Sequence, residues 1–233
     1  MWILFPYWDF REVVIVSLLC SIKYMTRLQP DYLLETDYLR EGAHSIAGVD
    51  EVGRGPIAGP VTAAAVVLDA ENLPTGLNDS KKLSARKREQ LFDQIMRTSV
   101  VSIAHASVDE IDDLNILYAS HLAMVRACNG LPIRPSVALI DGNLVPQDLG
   151  LKAVPVVKGD ARSLSIAAAS IVAKVTRDRL MVDLAQQYPG YGWSQNAGYP
   201  TKAHLEALRD IGVTPHHRRS FRPVHNILYQ VKS

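Results

Sequence analysis

Ser45-Ile46-Ala47-Gly48-Val49-Asp50-Glu51, then Val52-Gly53-Arg54-Gly55-Pro56, then Val61–Leu68, is the stretch that decides the fold. The first and third segments are short, rich in Val, Ile and Ala, and bounded by Gly or Pro, so both read as strands. Working outward, Val100–Ala106 reads as a third strand, and Val137–Ile140 and Val154–Val157 read as buried strands. Ser84 is placed to cap a helix running to about Arg97, with Leu91, Ile95 and Met96 on one side. Asp109 is placed to cap another, in which Leu114, Leu117, Leu122 and Val125 recur at helical spacing. Ala161–Gln187 carries the strongest helical pattern and is stopped by Pro189-Gly190. Thr201–Ile211 predicts a further helix, with Gly212 just past its end. Early strands followed by alternating helix and strand predict an α/β (α+β) domain built on a mixed sheet.

Composition narrows the class. The 233 residues suit one large domain or one domain with appendages, and 48% hydrophobic against 21% charged residues excludes a disordered chain. The formal charge of +1 neither demands nor forbids a polyanionic partner, so charge placement must decide. The two cysteines, Cys20 and Cys128, form no CxxC pair and no zinc set with the histidines, which favours a reducing, cytoplasmic setting. The longest apolar run, Val13–Cys20, is far shorter than the roughly 20 residues of a membrane-spanning helix. Asp9 and Glu12 precede it where a signal peptide would be basic. Residues 1–24 crowd Trp2, Phe5, Tyr7, Trp8 and Phe10 together and read as a non-native or dispensable extension from a start codon set too far upstream, with an amphipathic anchor as the alternative. Residues 25–44 read as a lead-in and 45–233 as the main domain, including the C-terminal helices.

Three strand ends carry acids. Asp50 and Glu51 close the first strand before the Gly-rich turn, Asp141 closes Ala138-Leu139-Ile140, and Asp160 follows Val156-Val157-Lys158-Gly159. Adjacent strand side chains point to opposite faces, so Asp50 and Glu51 serve one site only where the strand ends or twists. Each has a plainer reading: a solvated acidic pair, an Asx-turn at Asp141, a helix N-cap at Asp160. Taken together, converging carboxylates repel one another and are costly to bury without cations, and hard divalent metals take such oxygen ligands. Glycines with Arg54 suit phosphate or sugar oxygens, although no nucleotide-binding fingerprint follows. Lys81-Lys82, Lys158, Arg162 and His216-His217-Arg218-Arg219-Ser220-Phe221-Arg222 supply basic loops. With Tyr191, Trp193, Tyr199 and Phe221 they read as a nucleic-acid groove. Lys174 and Asp178, four apart, read as a surface ion pair, and Ala169 and Ala173 as the buried face of the long helix.

These segments together resemble the type 2 ribonuclease H (ribonuclease HII) family of bacteria. The resemblance rests on GVDEVGRGPIAGPV at 48–61, LNDSKKLS at 77–84, LIDGN at 139–143, VVKGDARSLSIAAASIVAKVTRD at 156–178, GYPT at 198–201 and HHRRSF at 216–221. It implies a ribonuclease H-like fold, a central mixed sheet flanked by helices with a C-terminal helical portion. It further implies an endonuclease that cuts the RNA strand of RNA–DNA hybrids and incises at ribonucleotides embedded in duplex DNA, as in ribonucleotide excision repair. The products carry 5′-phosphate and 3′-hydroxyl ends. Carried residue by residue, it implies Asp50, Glu51 and Asp141 as ligands of Mn²⁺ or Mg²⁺, with Asp160 as the fourth catalytic acid. Gly53, Arg54 and Gly55 would grip the ribonucleotide, joined by Tyr199 of the GYPT block. Lys81, Lys82, Lys158, Arg218 and Arg219 complete the expected substrate-binding set. A monomer acting without a membrane, with a replication sliding clamp as candidate protein partner, completes the expectation. Two rivals stay open. Another metal nuclease of the same fold, resolvase-like, would cut DNA lacking ribonucleotides. A non-catalytic RNA-binding module would survive Asp141→Asn unchanged and bind no divalent metal.

Overall fold

A computed structural model describes residues 29–229, so the reading of residues 1–24 lies outside the described residues. After helix α1 (Leu33–Arg40) come strands β1 (Ile46–Val52) and β2 (Val61–Leu68), helix α2 (Ala85–Thr98) and strand β3 (Ser99–Ala106). Helices α3 (Val108–Leu114) and α4 (Ile116–Asn129) lead to β4 (Val137–Asp141) and β5 (Lys152–Val156). The long α5 (Leu164–Gln187) is followed by α6 (Trp193–Asn196), α7 (Lys202–Asp210) and α8 (Arg222–Tyr229). The five strands form one mixed sheet in the order β3-β2-β1-β4-β5; β1 pairs antiparallel with β2 and parallel with β4.

Strand alternation divides the core into layers. Ala47, Val49, Ala63, Ala65, Ala138 and Ile140 face α4, which meets them with Ala119, Ala123, Met124 and Ala127. The other face of β2, with Ala64, Val66 and Leu68, packs on Leu91 and Ile95 of α2 and on Ala169, Val172 and Ala173 of α5. Small residues there let α5 lie close to the sheet. A separate cluster of Ile57, Met181, Leu184, Tyr191, Trp193, Leu208 and Val224 joins the C-terminal helices to the far half of α5. Among the described residues no helix is long and apolar enough to cross a membrane.

Several local expectations need correction. The helix expected to be capped by Asp109 is capped two residues earlier, because Ser107 and Glu110 form a reciprocal capping box. It is also two helices: Asn115 takes φ +67° and its Oδ1 accepts from the Leu117 and Tyr118 amides, ending α3 and capping α4. Leu114, at the end of α3, is exposed rather than packed, and so is Met96 on α2, where Leu91 and Ile95 alone are buried. Ser163, not Asp160, caps α5, accepting from the Ile166 amide at 3.1 Å. Asp160 lies in a preceding 3₁₀ turn, Gly159–Ala161. The last strand is shifted to Lys152–Val156 and is an edge strand in which only Val156 is buried.

The lead-in is tied to the domain by a buried acid. Glu35 is fully buried, and its Oε1 accepts from Ser163 Oγ (2.6 Å), Ser165 Oγ (2.5 Å) and the Ser165 amide (2.9 Å). The Leu164 amide also donates to the Asp31 carbonyl at 3.0 Å. A carboxylate at a helix N-terminus meets the positive end of the helix dipole. Glu35→Ala strands those donors, so urea unfolding should show a loss of about 2–3 kcal/mol. A change within experimental error would show that the lead-in merely rests on the surface.

Candidate active site

β1 and β4 run parallel with Gly48 opposite Leu139 and Val49 opposite Ile140. One step further along both strands stand Asp50 and Asp141, on the face toward α5. They end up side by side because each follows an apolar run of the same register. Glu51 belongs to the opposite face by alternation, yet it lines the same cleft because β1 ends one residue later at Val52. Asp160 reaches the cleft from the 3₁₀ turn after β5. The cleft is about 360 Å³, and its remaining wall comes from Gly53-Arg54-Gly55, Ser80, Lys81, Ser170, Lys174 and Tyr199.

Local donors hold the acids. Asp50 Oδ1 accepts from the Glu51 amide at 2.7 Å, and the Ser170 hydroxyl also bonds its carboxyl. Ser170 Oγ is 2.9 Å from Ser80 Oγ. Glu51 Oε1 accepts from Arg54 Nη1 at 3.1 Å, and Asp141 Oδ1 accepts from the Gly159 amide at 2.7 Å. Burial, and then the charges of Glu51 and Asp141, push the Asp50 carboxyl well above the usual carboxylate range. Burial raises Glu51 too, against the pull of Arg54. Asp160 is pushed up to about 6 by burial and by the charges of Asp141 and Asp79. Such a set lacks positive charge at its centre.

The donor chemistry fits a hard divalent cation, since every acidic group offers oxygen alone. Among the described residues no three His, Cys, Asp or Glu side chains converge into a finished ligand set. Asp50, Glu51 and Asp141 each give one oxygen to a protein donor and keep a second for an ion.

The turn that follows β1 is built for close approach. Gly53 has φ +95°, and a Cβ there would lie 2.2 Å from Arg177 Nε. A Cβ on Gly55 would lie 3.2 Å from the Tyr199 ring, which is 45% exposed and faces the cleft. The backbone carbonyl of Tyr199 accepts from His204 Nδ1 at 2.8 Å in the tautomer that protonates that nitrogen.

The expected substrate-binding residues divide. Gly53, Arg54, Gly55, Lys81 and Tyr199 line the cleft; Lys82, Lys158 and Arg219 are exposed but do not line it. Arg218 is a correction: it is fully buried, and its guanidinium bonds backbone carbonyls, so it cannot touch a substrate. Tyr191 and Trp193 are corrections for the same reason, 5% and 1% exposed in the C-terminal cluster rather than in a groove. Lys174 does pair with Asp178 at 2.8 Å, but it also lines the cleft instead of lying idle on the surface. Ser80, in the 3₁₀ turn Ser80–Lys82, and Ser170 and Arg177, on α5, escaped notice because a single polar residue carries no signal of what it faces.

Comparison with known proteins bears on the family and the fold. The family model for Ribonuclease HII matches residues 47–224. The chain is 66% identical over 199 residues to ribonuclease HII of Paracoccus denitrificans, covering 85% of this chain and 95% of that one. Among solved structures it is similar to ribonuclease H2 of Pyrococcus horikoshii, with TM-score 0.68, 30% identity and coverage of 78% and 96%. It is also similar to an Archaeoglobus fulgidus ribonuclease HII solved in complex with PCNA, with TM-score 0.66, 27% identity and coverage of 76% and 95%.

Proposed function

The chain belongs to the ribonuclease HII family and is an endonuclease of the ribonuclease H type, and from that premise we propose how its cleft is used. It hydrolyses the RNA strand of RNA–DNA hybrids and incises at single ribonucleotides in duplex DNA, leaving 5′-phosphate and 3′-hydroxyl ends. The observation that carries this reading is the placement of Asp50 and Asp141 on neighbouring parallel strand ends, beside a turn open enough to take a sugar.

In this reading Asp50, Glu51 and Asp141 would hold Mg²⁺ or Mn²⁺, with Asp160 as the fourth acid. When bound, such ions supply an activated water and neutralise the charge that develops on the scissile phosphate. The protein's own groups do the positioning. The Gly159 amide and Ser170 orient Asp141 and Asp50, and Arg54 keeps Glu51 at the mouth of the cleft. Lys81 and Lys174 offer ammonium groups to backbone phosphates, and the amides of Gly53–Gly55 approach the ribose 2′-hydroxyl, the group that separates RNA from DNA. Tyr199 stacks on the neighbouring deoxyribose. A sliding clamp is the candidate protein partner, as the archaeal complex with PCNA suggests, and a cytoplasmic monomer is the working form.

The direct test compares two duplexes identical except for one ribonucleotide. A cut confined to the ribonucleotide supports the reading; equal cutting of the all-DNA duplex favours a resolvase-like nuclease. Tyr199→Ala should lower cutting at a lone ribonucleotide by about tenfold, the low end of what an aromatic stacked on a nucleic acid contributes, and lower cutting of a long hybrid less. Equal losses on both substrates would leave Tyr199 a packing residue.

A further inference from the structure

Two guanidinium groups lie beneath the turn that reads the sugar, and neither is explained by the chemistry above. Arg177 on α5 is 1% exposed, and Arg218, ahead of α8, is 0% exposed. Every hydrogen bond of these side chains among the described residues goes to a backbone carbonyl. Arg218 Nε donates to Gly59 O (2.9 Å), Nη1 to Pro56 O (2.7 Å) and Arg54 O (3.1 Å), and Nη2 to Gly53 O (2.6 Å). Arg177 Nε donates to Pro60 O (2.9 Å), Nη2 to Ala58 O (3.1 Å) and Nη1 to Ala197 O (2.9 Å). The two side chains thus take six carbonyls between Gly53 and Pro60, plus one that lies two residues before Tyr199.

Burying a cation without a carboxylate is costly, and an apolar side chain would fill the same space more cheaply. What a planar, multi-donor fork adds is direction. In a trans peptide the C=O and the following N–H point opposite ways. Drawing the Gly53 and Arg54 carbonyls down onto Arg218 therefore turns the Arg54 and Gly55 amides away from it. Successive outward amides make a cradle for a hydroxyl or an anion.

We propose that Arg218 and Arg177 are positioning residues for substrate selection: Arg218 fixes the Gly53–Arg54 and Arg54–Gly55 peptide planes so that the Arg54 and Gly55 amides face the ribonucleotide, and Arg177 braces the continuation of the turn at Ala58 and Pro60 and the Ala197 carbonyl ahead of Tyr199. This rests on the ribonucleotide reading of the cleft. It places two determinants of sugar choice outside the cleft, one on α5 and one on the segment ahead of α8.

The test uses Arg218→Lys and Arg177→Lys, which keep the charge but cannot span these carbonyls. Circular dichroism at 10 °C checks folding, and steady-state kinetics follow on the single-ribonucleotide duplex and on a long RNA–DNA hybrid. The expected result is a KM for the single-ribonucleotide duplex raised about tenfold, roughly one lost hydrogen bond to substrate. KM should carry the larger share of the loss in kcat/KM, and the long hybrid should be less affected. A purely structural role would lower the unfolding temperature and the active fraction, cutting the rate on both substrates equally with KM unmoved, and would overturn the proposal. So would failure of both variants to fold. If the wild-type protein itself ignores the ribonucleotide, the reading of the cleft fails first, and the inference with it.

Discussion

Asp50→Asn should lower cutting at an embedded ribonucleotide by about 100-fold or more, the scale of loss when an electrostatic group acting on the transition state is removed. Asp50 is 7% exposed and stands against Glu51 and Asp141, so an amide of equal size keeps the packing but gives up one of the charges that would hold a cation. The fold should not suffer. Removing one of several crowded negative charges relieves repulsion, so the unfolding temperature measured in EDTA should stay level or rise. The Glu51 amide, which donates to Asp50 Oδ1, still finds a carbonyl oxygen there. Retention of more than about a tenth of the wild-type rate would remove Asp50 from the metal-binding set.

Gly48→Ala should have the largest effect on stability. Gly48 is in β1, two residues before Asp50, on the face covered by α5. A Cβ there would lie 2.0 Å from the Ser165 carbonyl carbon and 2.3 Å from the Ile166 nitrogen. Those are backbone atoms of the first turn of a 24-residue helix, so no side-chain rotation relieves the clash. Overpacking of this kind costs about 3 kcal/mol or more, and the helix must lift from the strand. Because the same helix brings Ser170 and Lys174 to the cleft, activity should fall even in the folded fraction. Urea unfolding of Gly48→Ala beside the wild type measures this; a shift below about 1 kcal/mol would mean that α5 docks more loosely than described.

Both effects trace to features that the sequence shows unequally. Asp50 and Asp141 are legible only as a pair, because each ends an apolar strand of the same pattern, whereas each alone reads as well as a solvated acid or a turn. The sheet was legible for the same reason, since alternation and bounding glycines mark β1 and β2 well. Asp160 was ambiguous: Ser163 three residues on is an equally good cap, and only the packed helix shows which side chain is used. His216-His217-Arg218-Arg219 reads as a basic run, yet His217 and Arg218 are buried while Arg219 is exposed. Such a run discloses charge but not which members turn inward, which depends on carbonyls about 160 residues earlier in the chain. Glu35 gave no signal, because its partners Ser163 and Ser165 lie well over 100 residues away.

The central claim is that this acidic cleft, with a divalent cation, hydrolyses the phosphodiester at a ribonucleotide. Mapping the ends produced from a duplex with one ribonucleotide, in Mg²⁺ or Mn²⁺ and again in chelator, tests it most directly. The expected result is a single nick with 3′-hydroxyl and 5′-phosphate ends in either metal, and no nick in chelator. Undiminished cutting in chelator, or a 2′,3′-cyclic phosphate at the nick, would contradict it, because the neighbouring 2′-hydroxyl rather than an activated water would then be the nucleophile.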